Sequence, residues 1–169
     1  MHIQTHVMSG WCVADFFSLT PRERLFAMIA ASAADLDGLG LLAGVDYYVR
    51  YHHLLAHNFT FGLVLAALLT AFSGHRFGVF CLYLGLFHLH LILDYIGSGP
   101  GWGIVYAWPF SEASYQYRDA WELASWQNFL AAALLIAWTL LIAIKRGRTP
   151  LEAIIPSWDR KVVEALRPK

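Results

Sequence analysis

Three apolar runs without a charged side chain constrain the fold of this chain more than any other feature of its sequence. The runs are Asn58–Phe72, Phe77–Leu93 and Asn128–Ile144. An α-helix rises about 1.5 Å per residue, so helices over these runs approach the roughly 30 Å hydrocarbon thickness of a bilayer. The alternative is a soluble helical protein that buries the same runs in its core. We favour the first interpretation and predict an all-α integral membrane bundle with about three spans.

The composition agrees with a membrane protein. Hydrophobic residues make up 58% of the chain and charged residues 14%, against about 25% charged residues in an ordinary soluble domain. The formal net charge is zero, so the sequence lacks the basic balance typical of a nucleic-acid-binding protein. Cys12 and Cys81 lie far apart in the sequence, and we interpret them as small apolar residues rather than as a disulfide.

Shorter helices are predicted before and after the spans. Two lie upstream, at His6–Phe17 and Arg22–Ala34, and the second begins with the capping sequence TPRE. The tail Thr149–Lys169 is predicted to form amphipathic interfacial helices rather than a fourth span. The predicted organisation is a membrane-embedded domain over residues 1–145 and a basic cytoplasmic tail over residues 146–169.

Lysine and arginine are distributed unevenly around the predicted spans. If the turn after the first span, the turn at Arg22 and Arg24, and the tail all face the cytoplasm, only Arg50 and Arg118 lie outside. The positive-inside rule then places the tryptophan-rich connection Tyr95–Trp126 on the extracytoplasmic side. The basic residues inside are Arg22, Arg24, Arg76, Lys145, Arg146, Arg148, Arg160, Lys161, Arg167 and Lys169.

Histidines gather at the outer ends of the first two predicted spans. His52, His53 and His57 precede the first span, while His90 and Asp94 close the second. The connection between these spans is short, which predicts an antiparallel pair. The two polar groups are therefore expected to meet at one end of the hairpin.

Two further aspartates, Asp35 and Asp37, end the upstream helix at the same predicted level. With Asp94 they place three carboxylates near a membrane boundary that has few basic side chains. Uncompensated carboxylates are costly there, and divalent cations would compensate them. Carboxylates and imidazoles are ligands for zinc, manganese and iron, and His90 lies one helical turn from Asp94. The sequence therefore predicts a site that binds several metal ions beside the membrane.

The order of these motifs resembles the family of LexA-binding, inner-membrane-associated hydrolases, also called membrane-bound metal-dependent hydrolases. That family has an early histidine, an Asp-x-Asp, a His-Arg-Gly-x-Thr-His-Ser block, and a His-x-x-x-Asp followed by Leu-Trp-Pro. The resemblance covers roughly residues 6–110. The matching positions are His6, Asp35-Leu36-Asp37, His52–Asn58, His90–Asp94 and Ala107–Phe110.

The resemblance implies an inner-membrane phosphoesterase whose helical His/Asp arrangement is similar to that of zinc-dependent phospholipase C. It implies two or more divalent ions, zinc first and manganese as an alternative. The implied substrate is a lipid or lipid-linked phosphoester at the extracytoplasmic surface. Asp35 or Asp37 would bridge ions or accept the proton of the attacking water. The implied metal ligands are His6, Asp35, Asp37, His52, His57, His90 and Asp94.

The chain departs from the family pattern in the middle block, where His53-Leu54 replaces Arg-Gly. Either of the adjacent histidines could then be the first ligand of the block, and we favour His52. We expect His53, His75 and His88 to lie outside the ligand set. Arg50 is the one nearby residue that could replace the missing arginine. The alternative function is a non-catalytic metal-binding or haem-binding membrane protein, or a transporter.

Overall fold

The computed structural model describes residues 1–74 and 76–167. His75 and Lys169, which figure in the predictions above, lie outside the described residues. Among the described residues all the regular secondary structure is helical, and one irregular connection contains an isolated bridge, between Ile104 and Tyr115. The predicted all-α fold class is confirmed. The α-helices are α1 (Ile3–Ala14), α2 (Pro21–Ser32), α3 (Val45–Tyr51), α4 (Phe59–Ala71), α5 (Arg76–Gly97), α6 (Trp126–Arg146) and α7 (Pro156–Leu166), and the 3₁₀ segments are Ala33–Ala43 and Pro150–Ala153.

Three helical segments are long and apolar enough to cross a membrane: Pro21–Ala43, Phe77–Gly97 and Trp126–Arg146. The second and third coincide with two of the predicted spans. The first was predicted as a shorter helix that ends at Ala34, but 3₁₀ turns continue it to Ala43. An integral membrane bundle with three candidate spans and additional short helices agrees with the prediction.

The run predicted as the first span forms α4, which has only 13 residues and is about 20 Å long. Its start is determined by Asn58, whose side-chain oxygen accepts the backbone N–H of Phe61 at 2.9 Å. Its last turn is followed at once by a bend at Ser73 and Gly74. α4 is therefore a short apolar helix, which corrects the prediction of a full span here.

The start of α2 forms as the capping sequence predicts. The hydroxyl of Thr20 accepts the backbone N–H of Glu23, and the Glu23 carboxylate accepts the backbone N–H of Thr20 at 2.8 Å. This capping box satisfies two N–H groups that have no partner within the helix. Pro21 occupies the first helical position, where its missing N–H costs nothing.

The helices pack so that one end of the bundle collects the predicted ligands. α1 packs on α2 and α6, while α5 packs on α2 and α4. We call this end the site end. There, Met1 at the start of α1 contacts Asp94 near the end of α5, and Asn128 at the start of α6 donates to the Gly97 carbonyl at 2.9 Å.

The opposite end, which we call the basic end, holds ion pairs between the bundle and the tail. Arg146 and Arg148 contact Asp15 at the end of α1. Arg24, in the first turns of α2, pairs with Glu152 of the tail. The tail thus docks on the basic end.

The tail itself forms a 3₁₀ turn and α7 rather than a further span, as predicted. Its turn is held by Asp159, which accepts both the backbone N–H and the hydroxyl of Thr149 at 2.7 Å. Trp158, on the outer face of α7, is 60% exposed. An exposed indole beside basic residues is typical of a helix that lies in the membrane interface.

Candidate metal centre

All seven residues predicted as metal ligands lie together at the site end. They come from four separate parts of the chain, so only the packing of the bundle brings them into contact. α1 carries His6, the 3₁₀ segment after α2 carries Asp35 and Asp37, the turn before α4 carries His52 and His57, and α5 carries His90 and Asp94.

Four of these residues form a compact set, which we call the first ligand group: His6, Asp35, His90 and Asp94. Their ligand atoms all lie within 4.8 Å of one another. His90 Nε2 is 2.9 Å from Asp94 Oδ2, and His6 Nε2 is 3.1 Å from Asp94 Oδ1. Asp35 Oδ1 lies 3.8 Å from His90 Nε2. Two carboxylates and two imidazoles are a donor set that suits zinc.

Three histidines form the second ligand group: His52, His53 and His57, whose ligand atoms also lie within 4.8 Å of one another. The two groups touch through His57. Its Nε2 is 3.1 Å from His90 Nε2 and 3.2 Å from Asp94 Oδ2. A side chain at this contact could therefore bind two neighbouring ions at once, as ligands do in two-metal sites.

Asp37 contacts the Nδ1 side of two histidine rings and does not lie between the two ligand groups. Its Oδ1 is 2.6 Å from His52 Nδ1, and its Oδ2 is 2.9 Å from His57 Nδ1. The backbone N–H groups of His53 and Ala56 also donate to Oδ2, at 3.1 and 3.3 Å. A carboxylate in this position holds both rings with Nε2 directed away from it, toward a metal.

His53 was expected outside the ligand set, but the structure places it inside the second group. Its backbone has φ +66°, an uncommon value for a residue other than glycine. His53 Nδ1 lies 3.2 Å from the Trp102 carbonyl oxygen. A carbonyl only accepts, so Nδ1 carries the hydrogen and the Nε2 lone pair is free, 3.9 Å from Asp94 Oδ2. The only sequence signal for this role was the adjacent pair His52-His53.

The orientation of His90 follows the same logic. Its Nδ1 lies 2.8 Å from the carbonyl oxygen of Ala31 in α2. Nδ1 therefore donates a hydrogen bond, and the lone pair of Nε2 is available for a metal ion. The His90 and His6 rings stack with centroids 3.8 Å apart. His88, expected outside the set, hydrogen-bonds to the Tyr106 hydroxyl at 2.9 Å and takes no part in either group.

The site contains few cations that could neutralise its aspartates. Among the described residues no lysine or arginine pairs with Asp35, Asp37 or Asp94; their ion-pair partners are histidines and the Met1 amine, which contacts Asp94 and Ser98. The Met1 contact was not foreseen from the sequence.

Histidines outside the spans respond to this environment in opposite ways. Burial lowers the pKa of His53 to about 3, and the charge of His57 adds to that effect. Burial also acts to lower the pKa of His57, but its hydrogen bonds with Asp37 and Asp94 outweigh burial and raise the pKa to about 9. Burial lowers the pKa of His6 although Asp94 opposes it.

The residues present fit a divalent metal. Asp35 Oδ2 and His6 Nδ1 are buried and have no hydrogen-bond partner, and a buried polar atom without a partner costs about 1–3 kcal/mol. Imidazole nitrogens and carboxylate oxygens are also the usual protein ligands of zinc. An ion at the first ligand group would be held by Nε2 of His6 and His90 and by the carboxylates of Asp35, through Oδ1, and Asp94, and it would neutralise those carboxylates.

A cavity of about 430 Å³ gives access to this centre. It is bordered by members of both ligand groups and by an apolar rim. The wall includes Asp35, Asp94, His52, His53, Tyr48 and Trp102.

Comparison with known proteins gives one match. The model of the family described as YdjM inner membrane protein matches residues 1–161, nearly the whole chain. No curated protein and no solved structure matches the chain.

Proposed function

We propose that this chain, which belongs to the YdjM inner membrane protein family, is a membrane-bound metal-dependent hydrolase. Its substrate would be the phosphoester of a lipid or lipid-linked molecule, hydrolysed at the extracytoplasmic surface of the inner membrane. The resemblance to LexA-binding membrane-bound hydrolases, and through them to zinc-dependent phospholipase C, supports the same reaction. The observation that carries the proposal is the convergence of buried imidazoles and carboxylates from four segments into two adjoining groups.

Each residue has a role in this proposal. The first ligand group, joined by His57, holds one ion, and His52 and His53 hold a second. Zinc or manganese bound there would lower the pKa of a bound water to about 7 and polarise the phosphoryl oxygens. Asp37 keeps the rings of His52 and His57 in position through their Nδ1 atoms.

Asp35 is the better placed of the two candidate catalytic aspartates to accept the proton of the attacking water. Its Oδ2 is buried and has no partner. The corresponding oxygen of Asp37 already accepts three hydrogen bonds, from His53, Ala56 and His57. A free carboxylate oxygen beside the ions can take a proton, whereas a saturated one cannot do so without losing a partner.

A lipid substrate is supported by the surface around the cavity. The segment between α2 and α3 exposes large apolar side chains, among them Leu36, Leu39 and Leu41, and Leu42 is 89% exposed. Leu41 also lines the cavity itself. Exposed leucines beside a site are costly in water and favourable in a bilayer. A substrate could therefore reach the centre from the membrane.

The proposed orientation is supported by the two ends of the bundle. Arg24, Arg146 and Arg148 lie at the basic end, and the metal centre lies at the other. The positive-inside rule places the basic end in the cytoplasm. The centre then faces the extracytoplasmic side.

The test is the metal content of purified protein, measured by elemental analysis. Wild type is expected to hold two or more equivalents of zinc or manganese, and Asp35→Asn/His90→Ala less than half of that. His88→Ala is the matched control, because His88 lies on the same helix but in neither ligand group. Chelation should abolish hydrolysis of a lipid phosphoester, and added zinc or manganese should restore it.

Equal metal content in wild type and the double variant would overturn the proposal, because the aspartates and histidines would then be ordinary buried polar groups. An optical spectrum of the same sample tests the alternative of a haem carrier. A Soret band in place of zinc would favour that alternative.

A further inference from the structure

A second cavity, of about 250 Å³, is lined by His52 and His53 of the candidate metal centre. The two cavities share three wall residues: His52, His53 and Trp102. Each shared residue faces both cavities, so the second cavity lies next to the histidines of the second ligand group. The metal centre accounts for the first cavity, and the second has no role in the function proposed above.

The two cavities differ in the charge of their walls. The first is bordered by three acids, Asp35, Asp94 and Glu122. Among the described residues that line the second, Arg50 is the only charged side chain. By sequence position, Arg50 and Arg118 are the two basic residues that the predicted topology leaves on the extracytoplasmic side. A lone guanidinium beside a metal centre is a recognition group for an anion.

Other features of the second cavity suit a small anionic group. The Arg50 guanidinium lies over the ring of Tyr51, 5.4 Å from its centroid, and this cation–π contact restrains the side chain. Ser114 adds a hydroxyl to the wall. This hydroxyl lies directly over Gly103. A side chain at position 103 would displace it, because a Cβ on Gly103 would be 2.2 Å from Ser114 Oγ.

We propose that this second cavity, which we call the Arg50 subsite, binds a second anionic group of the substrate. The inference rests on the proposed function and narrows its substrate class. The substrate would be a lipid phosphoester whose headgroup carries a further phosphate or another anion, as in a lipid diphosphate. One anionic group lies at the metal centre while Arg50 binds the other through charge-assisted hydrogen bonds.

Binding of non-hydrolysable analogues to the zinc-loaded full chain tests the subsite apart from catalysis. The probes are dodecyl phosphonate and the matching dodecyl bisphosphonate, which adds one anionic group to the same chain. Titration calorimetry should give wild type about tenfold tighter binding of the bisphosphonate. Arg50→Gln should lose this advantage and leave the affinity for the monophosphonate unchanged.

Arg118→Gln is the matched control, because it removes the same charge from a residue that lines neither cavity. It should behave as wild type. An equal loss in both variants, or an equal loss for both probes in Arg50→Gln, would overturn the subsite. Methylphosphonate and methylene bisphosphonate form a second pair that lacks the chain. If methylene bisphosphonate also binds more tightly than methylphosphonate, and only when Arg50 is present, the subsite also binds free anions.

The outcomes also separate the subsite from the metal centre. If metal-loaded wild type binds both dodecyl probes equally, the subsite is wrong and the proposed function stands. If wild type holds no metal and binds neither probe, both proposals fail.

Discussion

Asp37 shows how a residue of the expected type can act from a different position. The sequence predicts Asp37 as a metal ligand, with either Asp35 or Asp37 bridging ions or accepting the proton of the attacking water. In the structure its carboxylate contacts Nδ1 of His52 and of His57, together with two backbone N–H groups. This is the position from which a carboxylate orients metal-binding histidines.

Replacement of Asp37 by asparagine distinguishes an orienting role from a ligand role. We expect Asp37→Asn to weaken zinc affinity by about 10- to 100-fold, since it loses the charge behind two ligands. At saturating zinc its stoichiometry should still equal that of wild type, whereas Asp35→Asn should lose bound metal. Competition with a fluorescent chelator measures the affinity, and elemental analysis measures the stoichiometry. A stoichiometry as low as that of Asp35→Asn would make Asp37 a ligand.

His53 is a second residue whose position the sequence did not predict, because its backbone conformation determines where its ring points. Hydrogen bonds on both sides of the residue hold its φ of +66°: its N–H donates to Asp37, and its carbonyl accepts from the Val105 N–H at 3.3 Å. A non-glycine residue in this region costs of order 1 kcal/mol or more. In the proposed metal centre, binding of a metal by this ring would offset that cost.

At the scale of elements, the close approach of α1 to α2 decides where His6 lies. A Cβ on Gly10 would be 2.7 Å from the carbonyl oxygen of Ala27 and 2.9 Å from Cα of Met28. Both are backbone atoms that cannot yield without moving the helix. Small residues at such a contact let membrane helices pack closely.

A side chain at Gly10 should therefore separate the two helices. Gly10→Val is expected to destabilise the fold by about 1–3 kcal/mol through overpacking. It should also weaken metal binding, since His6 lies one turn away on α1. Thermal unfolding in detergent and the zinc affinity are the two measurements. Gly85→Ala, where an added Cβ meets nothing within 4 Å, is the control. Equal melting temperatures for the two variants would contradict this account of the contact.

For the whole molecule, the ligands and the basic residues lie at opposite ends of an antiparallel bundle. The ends differ because each helix reverses the chain, so alternate connections return to the same end. α6 lies at the periphery, and its exposed apolar residues, such as Phe129, Leu134 and Ile136, suit contact with lipid. The bundle therefore has a lipid-facing side and two chemically distinct ends.

The two ends are expected on opposite sides of the membrane. In a chain whose Cys12 and Cys81 are replaced by alanine, Ser111→Cys in the α5–α6 connection should react with an impermeant maleimide in intact spheroplasts. Arg160→Cys in α7 should react only after permeabilisation. Labelling of both positions in intact spheroplasts would contradict the orientation.

Some features could be predicted from the sequence because they depend on neighbouring residues. The α2 cap needs only Thr20, Pro21 and Glu23, all within one turn. The α5 and α6 spans follow from uninterrupted apolar runs, whose backbone polar groups must bond within a helix in lipid. The candidate ligands could also be chosen from the sequence, because imidazoles and carboxylates are side chains that bind zinc well and each can be recognised without knowledge of the fold.

The rest was decided by tertiary structure, because it depends on where side chains from distant segments point. α4 ends short of a full span, and 3₁₀ turns carry the first span past Ala34 to Ala43. Within those turns Asp35 reaches His90 of α5, while Asp37 reaches His52 before α4. Two aspartates of the same sequence motif thus have different partners, since 3₁₀ geometry and helix packing, rather than spacing, determine the direction of each carboxylate.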